Sequence, residues 1–239
     1  MNRGRAISTT ISLCLVASQS HALWDAAADF SSVNNPSGEW EYCAGPGKLA
    51  LLLPMAAPFE LGEGLLGWQA GSGEPWLVKN TNAMTSMVGA AQLLAGQIAM
   101  RPGGSGPYVA LHFMAPADGI YTYSASFTQR STLPSSSDVY IVHNGTTLLW
   151  SGISNTFEVP VLATGSIKLE AGDSLRAVVG PDGSSENDLT GVDFTIDSVP
   201  EPTSSTILGL GLAALLRKRR SNLRLGQKPD TDAERASQP

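Results

Sequence analysis

The sequence predicts an all-β protein built as an antiparallel β-sandwich, and two observations support this fold class. From Tyr108 onward, apolar residues alternate with polar ones, which is the two-residue period of a strand with one buried face. Turn-forming residues are plentiful, with 25 glycines and 15 prolines among 239 residues, and charged residues make up only 15% of the chain. Many short alternating segments separated by Gly and Pro are typical of a sandwich.

The first 22 residues predict a secretory signal peptide. Arg3 and Arg5 form a positive N-terminal region, an apolar stretch follows, and Ser20-His21-Ala22 places small residues at the positions that precede a cleavage site. Cleavage after Ala22 would make the protein an exported one and would remove Cys14. Cys43 then remains as the single thiol, and we expect it to be a small buried apolar residue.

Residues 23–199 are predicted to form the sandwich domain, and this domain is strongly acidic. It contains 17 acidic and 6 basic side chains, so its net charge is −11. A field of this sign repels nucleic acid and anionic lipid, so neither is an expected partner of the domain.

The first half of the domain shows a weaker pattern than the second. Asn35-Pro36-Ser37-Gly38 predicts a turn that leads into an alternating strand over 39–42. The glycines of 62–67 match the spacing of a dinucleotide-binding fingerprint. We interpret the match as chance, because no clean strand precedes it and no helix pattern follows it. The apolar spacing of 84–100 also fits a helix, although Gly89 and Gly96 disfavour one.

The second half predicts a series of strands at hairpin spacing. Asn144-Gly145 between alternating segments is a strong hairpin signal, because both residues tolerate a positive φ. Pro160 within an alternating segment indicates an edge strand. The predicted strands are 109–113, 121–127, 138–143, 146–150, 157–161, 167–169, 175–179 and 192–196.

The C-terminal segment combines three features in a row. Pro200-Glu201-Pro202 is stiff and extended, since each proline fixes φ and biases its predecessor. Residues 203–216 are an apolar run that as a helix would span about 21 Å, short of a hydrocarbon core of about 30 Å. A basic stop follows, formed by Arg217, Lys218, Arg219 and Arg220. Basic residues favour the cytoplasmic side, which would leave residues 23–199 outside.

This arrangement resembles the PEP-CTERM sorting signal of exported bacterial proteins. The resemblance implies that Pro200, Glu201 and Pro202 are recognised by a membrane-embedded exosortase, and that the chain is cleaved there after a transient stay in the inner membrane through 203–216. Two features depart from the pattern: the apolar run is short, and residues 221–239, expected to be a polar disordered tail, follow the basic stop. The predicted parts are therefore 1–22, 23–199, 200–220 and 221–239.

A second resemblance covers most of the sandwich domain. Turn and strand motifs such as Asn35-Pro36-Ser37-Gly38-Glu39-Trp40 and Ala115-Pro116-Ala117-Asp118-Gly119-Ile120-Tyr121 are similar to those of PEP-CTERM passenger domains. The resemblance implies a galactose-binding-type jelly roll. Where that group usually has His-Pro-Gly, this chain has Arg101-Pro102-Gly103, so a role for that histidine does not carry over.

Few residues in the domain point to chemistry. His112 and His143 have no partner at metal-ligand spacing, which favours structural roles. The common hydrolase and nucleotide-binding motifs are absent from the sequence, so neither catalysis nor a cofactor is expected. Asp182, Glu186 and Asp188 share one loop and are weak candidates for calcium ligands, although a solvated loop is the favoured interpretation.

The tryptophans offer a possible carbohydrate site. Trp40 and Trp150 lie in alternating strands that are typical of core positions, whereas Trp68 and Trp76 lie in a Gly-rich stretch and are expected to face outward. The favoured function is an exported, non-catalytic structural protein of the cell envelope or extracellular polysaccharide. The alternatives are a carbohydrate-binding module and a secreted glycosidase or esterase, which would need two carboxylates facing each other in a cleft.

Overall fold

The computed structural model describes residues 22–71, 73–104 and 106–199. Within these residues the regular structure is entirely β. The strands are β1 (Leu23–Asp25), β2 (Trp40–Gly45), β3 (Leu53–Pro54), β4 (Ala57–Gly62), β5 (Leu65–Gln69), β6 (Trp76–Asn80), β7 (Ser86–Val88), β8 (Ala91–Leu93), β9 (Ile98–Arg101), β10 (Tyr108–Met114), β11 (Gly119–Gln129), β12 (Ser137–His143), β13 (Thr147–Ser154), β14 (Pro160–Leu169), β15 (Ser174–Gly180) and β16 (Thr190–Val199).

Two antiparallel sheets form the sandwich. The eight-stranded sheet has the order β14-β11-β16-β9-β6-β5-β4, and β1 pairs with β16 beside β9. The six-stranded sheet has the order β13-β12-β15-β10-β2-β3, and β7 and β8 form a separate hairpin. The predicted all-β sandwich is therefore confirmed.

The space between the sheets is filled by the alternate residues that the sequence marked as one apolar face. Val109, Leu111 and Phe113 of β10 are fully buried, and the side chains of β11 that face them across the core include Tyr121 and Phe127. Phe113 and Tyr121 meet edge-on, with ring centroids 6.1 Å apart. Burying aromatic and aliphatic side chains from both sheets supplies most of the stabilisation of such a fold.

The predicted hairpin is confirmed at Asn144-Gly145. These residues have φ values of 49° and 65°, and they connect β12 to β13, with Thr146 N donating to His143 O at 3.1 Å. A turn with two positive φ values matches the twist of the flanking strands.

The turn predicted over 35–38 forms two residues later, over 37–40, and β2 therefore begins at Trp40. Ser37 and Trp40 exchange two backbone hydrogen bonds, and Gly38 has φ +58° between them.

The helix that the apolar spacing of 84–100 also fitted does not form, and one strand prediction needs correction. Residues 84–100 form β7, β8 and the start of β9 rather than a helix, because Gly89 and Gly96 adopt positive φ values and turn the chain. The separate strands predicted at 157–161 and 167–169 are replaced by one ten-residue strand, β14, which begins at Pro160 and lies at the edge of the eight-stranded sheet, so residues 157–159 precede it. It passes without a break through Gly165, where the Tyr123 ring packs against the backbone.

The fingerprint-like glycines of 62–67 lie in the β4–β5 hairpin, as their lack of a flanking helix indicated. Gly64 takes a positive φ of 73° in the turn, and Gly67 packs against the backbone of Leu77 on β6.

Several predictions fall outside the described residues: the signal peptide, the apolar helix at 203–216, and the tail. The described residues contain no helix with the length and apolarity that a membrane span requires.

Candidate functional site

The outer face of the six-stranded sheet carries a row of polar side chains. Glu41 on β2 lies directly opposite His112 on β10, and His112 lies directly opposite Arg176 on β15. Cys43 lies two residues beyond Glu41 and therefore points to the same face. The strands thus bring together four groups that are far apart in the sequence.

Glu41, Cys43 and His112 converge on one point, and we call them the Glu41–Cys43–His112 cluster. The Cys43 Sγ lies 3.2 Å from Glu41 Oε2 and 3.8 Å from His112 Nδ1, and Nδ1 lies 3.0 Å from Oε2. Within the described part of the chain, this is the one group of three His, Cys, Asp or Glu side chains whose ligand atoms come this close together. His112 has no partner at metal-ligand spacing in the sequence, and the pairing of β2 with β10 brings Glu41 and Cys43 to it.

Burial controls the protonation of the cluster. It raises the pKa of the Cys43 thiol, and the negative charge of Glu41 raises it further. Burial also lowers the pKa of His112, and the nearby Arg176 charge lowers it further, while Glu41 opposes both effects. The raised pKa keeps the proton on the Cys43 thiol and the lowered pKa disfavours the charged form of His112, and both side chains bond to Glu41 Oε2.

Arg176 connects this face to the hairpin turn and to the chain that follows β2. Its Nη1 donates to Ala50 O at 3.4 Å, and it lies 2.7 Å from where a Cβ on Gly145 would be. Leu52 from the same covering segment packs on the face together with Val142 and Val178.

A second polar cluster lies further along the same face, around Asp138. Its Oδ2 accepts hydrogen bonds from Tyr140 (2.6 Å) and Tyr108 (2.9 Å), and Lys48 Nζ contacts the Tyr140 hydroxyl at 2.8 Å. Burial, reinforced by Asp138, raises the pKa of Tyr108 to about 12 and that of Tyr140 further. Both hydroxyls therefore stay protonated and act as donors to Asp138.

The acidic loop is split between the interior and the surface. Asp188 is fully buried and accepts a hydrogen bond from the Ser136 amide at 3.2 Å, while Asp182 and Glu186 are exposed. The Asp182 carboxylate accepts from the Ser136 hydroxyl at 2.6 Å. Among the described residues these three acids do not form one of the close groups that could hold a metal ion, and the solvated loop stays the prediction for this segment.

The structure contradicts the outward orientation expected for Trp68 and Trp76. They are only 4% and 5% exposed. Trp68 packs in the main core and donates from Nε1 to Ser31 O at 2.8 Å, and Trp76 packs against Phe59 in a smaller core that the β7–β8 hairpin helps to cover. The glycines around them form turns between paired strands, which is why the sequence made them look exposed.

None of the sixteen aromatic side chains is exposed, and all of them lie within the described residues. Trp24 and Trp150 are half-buried; Trp24 packs on Phe113, and Trp150 stacks on Phe127 with ring planes 4° apart.

The remaining predicted residues are peripheral or undescribed. His143 Nε2 lies 3.7 Å from Asp173 Oδ2, away from the Glu41–Cys43–His112 cluster. The sorting residues Pro200, Glu201 and Pro202 and the basic stop (Arg217, Lys218, Arg219 and Arg220) lie outside the described residues.

The fold is that of an antiparallel sandwich of the jelly-roll type. Residues 198–220 match the PEP-CTERM protein-sorting motif, which indicates an exported protein that is sorted through its C-terminus. The matched segment contains the predicted recognition residues and the basic stop. A comparison with curated proteins finds no match.

Solved structures similar to this chain include carbohydrate-binding modules. The GH26-CBM35 β-(1,4)-mannanase of Podospora anserina is 16% identical, with 54% of this chain and 29% of that chain covered and a TM-score of 0.34. A family 35 carbohydrate-binding module from Clostridium thermocellum is 15% identical over 48% of this chain and 88% of its own, with a TM-score of 0.32. The CBM36-1 domain of a xylanase from a Trinervitermes trinervoides hindgut metagenome is 10% identical over 54% and 99%, with a TM-score of 0.32.

Proposed function

We propose that the protein is a non-catalytic structural component of the cell envelope or extracellular polysaccharide. An exosortase-type enzyme recognises Pro200, Glu201 and Pro202, cleaves the chain there and releases the sandwich from the inner membrane. The observation that carries the proposal is the sorting motif at 198–220, which begins within the last two residues of β16.

The position of β16 supports cleavage without damage to the fold. The strand pairs with β11 along its whole length and ends with Val199 opposite Ile120. Cleavage beyond Pro202 would therefore leave every strand of the sandwich in place, so the released product keeps the core that stabilises it.

The N-terminal end supports the same scheme. Leu23 pairs with Asp197, and Ala22 N donates to Ser198 Oγ at 3.2 Å. The proposed cleavage sites of the signal peptide and of the sorting segment therefore both lie next to one end of β16. Cleavage after Ala22 leaves β1 intact.

The covered aromatic side chains favour a structural role over glycan binding. Sugar rings are bound by stacking on exposed aromatic faces together with a few fixed polar groups. Here all sixteen aromatic side chains are buried or half-buried, so none of them presents a fully exposed ring to a polymer.

The acids also give little support for a glycosidase. Asp188, one of the three acids in the candidate loop, is fully buried, and a carboxylate without solvent contact cannot reach a polymer. The Asp138 carboxylate is occupied by two tyrosine hydroxyls.

The proposal is tested by replacing Pro200, Glu201 and Pro202 with alanine in the native host. We expect the variant to stay in the membrane fraction while the parent reaches the surface. A control in which Ser221–Pro239 is deleted should still be released. Equal release of the alanine variant and the parent would contradict the proposal.

A further inference from the structure

We propose that Glu41, Cys43 and His112 form a binding site for a borderline-soft divalent transition-metal ion of the Zn²⁺ class. The inference is independent of how the protein is sorted. It rests on the types of the three ligands, on the distances between them, and on the strand pairing that fixes those distances.

The distances between the ligand atoms are within about 0.3 Å of those in a tetrahedral metal site. With metal–ligand bonds of about 2.0–2.3 Å at tetrahedral angles, neighbouring ligand atoms lie roughly 3.3–3.6 Å apart. The observed separations are 3.0, 3.2 and 3.8 Å, so an ion needs shifts of only a few tenths of an ångström. If Cys43 and His112 only formed hydrogen bonds to Glu41 Oε2, the thiol and the imidazole would not need to lie close to each other. Here they are also 3.8 Å apart.

The ligand set selects the class of metal. Thiolate and imidazole favour zinc and its neighbours in the first transition series, whereas calcium and magnesium take oxygen ligands. Three protein ligands leave the fourth tetrahedral position for water or an exchangeable anion. Glu41 and the thiolate neutralise a divalent ion, and the Arg176 guanidinium beside them leaves a net positive charge that favours an anion there.

The sheet holds the ligands in place before metal arrives. Glu41 and Cys43 are two residues apart on β2, and His112 is fixed opposite Glu41 by the pairing of β10 with β2. Cys43 is fully buried, while the side chains of Glu41 and His112 keep 19% and 12% of their surface exposed. Metal therefore has access from the Glu41 side, and little ordering of side chains accompanies binding.

Two features limit the affinity. The Cys43 thiol, whose pKa is raised by burial and by Glu41, must lose its proton before Sγ can bind a metal ion. The other feature is the support of the His112 ring. His112 Nε2 has no hydrogen-bond partner among the described residues, so no acceptor supports the ring from behind. A hydrogen-bond acceptor on the second ring nitrogen typically raises metal affinity about 10–100-fold. We therefore expect metal binding to be weaker by this factor than at a site whose histidine has such an acceptor.

The test uses Co²⁺ as a spectroscopic probe with the full chain carrying Cys14→Ser, so that Cys43 is the single thiol. We expect one equivalent of Co²⁺ to produce the intense visible bands of a tetrahedral ion and a thiolate-to-cobalt charge-transfer band in the near ultraviolet. Zn²⁺ should displace the Co²⁺ and abolish both. The absence of a charge-transfer band at stoichiometric Co²⁺ would overturn the proposal.

Variants locate the site. Cys43→Ser should abolish the charge-transfer band, and His112→Gln and Glu41→Gln should weaken Co²⁺ binding by more than about tenfold. His143→Gln is the matched control and should bind as the parent does. Equal binding in His112→Gln and the parent would also overturn the proposal.

A melting experiment on the parent covers the case in which the variants do not fold. Zn²⁺ should raise the melting temperature in a concentration-dependent way that a chelator reverses, because an ion bound by the native state alone stabilises it by mass action. No change at millimolar Zn²⁺ would count against the site.

Discussion

At the scale of single residues, Asp188 is the most strongly perturbed acid in the domain. Burial raises its pKa to about 7, from an ordinary value near 4, and the hydrogen bond from the Ser136 amide opposes this shift only in part. The folded protein therefore keeps a proton on Asp188 at pH values where the unfolded chain has lost it.

This difference makes stability depend on pH. The contribution of Asp188 to the free energy of unfolding is fully present below about pH 4 and is lost as the pH rises through 7, at roughly 1 kcal/mol per pH unit. In Asp188→Asn this loss of unfolding free energy with rising pH should disappear, because the amide does not ionise. The amide oxygen can still accept the hydrogen bond from the Ser136 amide. Urea unfolding of parent and variant at pH 5 and pH 8 measures how much unfolding free energy each loses between the two pH values. An equal loss in both proteins would show that burial does not perturb this acid.

Trp68 gives a second prediction at this scale. Because its ring is buried in the main core and stacks on Tyr42, Trp68→Ala should destabilise the fold by about 3–5 kcal/mol. Trp68→Phe should lose less, since most of the packing survives. Thermal or urea unfolding of both variants is the measurement. A stable Trp68→Ala variant that has lost glycan binding would instead favour the carbohydrate-binding alternative.

At the scale of elements, the β12–β13 hairpin combines local and tertiary constraints. Gly145 needs a positive φ of 65° for the turn, and it also leaves room for the Arg176 guanidinium. The same glycine therefore serves the turn and the packing on the outer face of the sheet.

Gly145→Val should destabilise the protein by about 1–3 kcal/mol through backbone strain, with a further loss where the side chain displaces Arg176. Gly172→Val is a matched control, because Gly172 has φ +89° but nothing within 4 Å of its Cβ position. The difference between the two unfolding free energies isolates the Arg176 contact. If Gly145→Val has the same melting temperature as the parent, the turn does not need a glycine.

At the scale of the whole molecule, processing at both ends is the central expectation. In a host with its sorting enzyme, the mature protein should begin near Leu23 and lack the residues beyond about Thr203. Intact mass of the surface-released protein measures both ends. A mass that still includes Ser221–Pro239 would contradict cleavage at the sorting motif.

The behaviour of the intact domain with ligands separates the structural role from its main alternative. Millimolar Ca²⁺ should change the melting temperature little, since Asp182, Glu186 and Asp188 do not converge. Simple sugars should bind weakly or not at all, since no aromatic side chain is exposed. Calorimetry and a calcium titration of the melting curve are the measurements. Saturable glycan binding, or a calcium-dependent rise of several degrees, would support a binding module.

The sequence alone determined those features whose physical cause is local. Alternation along β10 and β11 predicted which side chains enter the core, because side chains point to opposite faces of a strand. The Asn144-Gly145 turn was predictable because a positive φ selects these residues. The sorting motif at 198–220 was readable because its features follow one another along the chain.

Tertiary structure decided the features that depend on which strands become neighbours. Glu41 and Cys43 meet His112 because β2 pairs with β10 about seventy residues later in one register, and a shift of one residue would point His112 into the core. Trp68 and Trp76 are buried because paired strands and the β7–β8 hairpin cover them. No local pattern encodes such pairings, since their free energy comes from contacts between segments that are distant in the sequence.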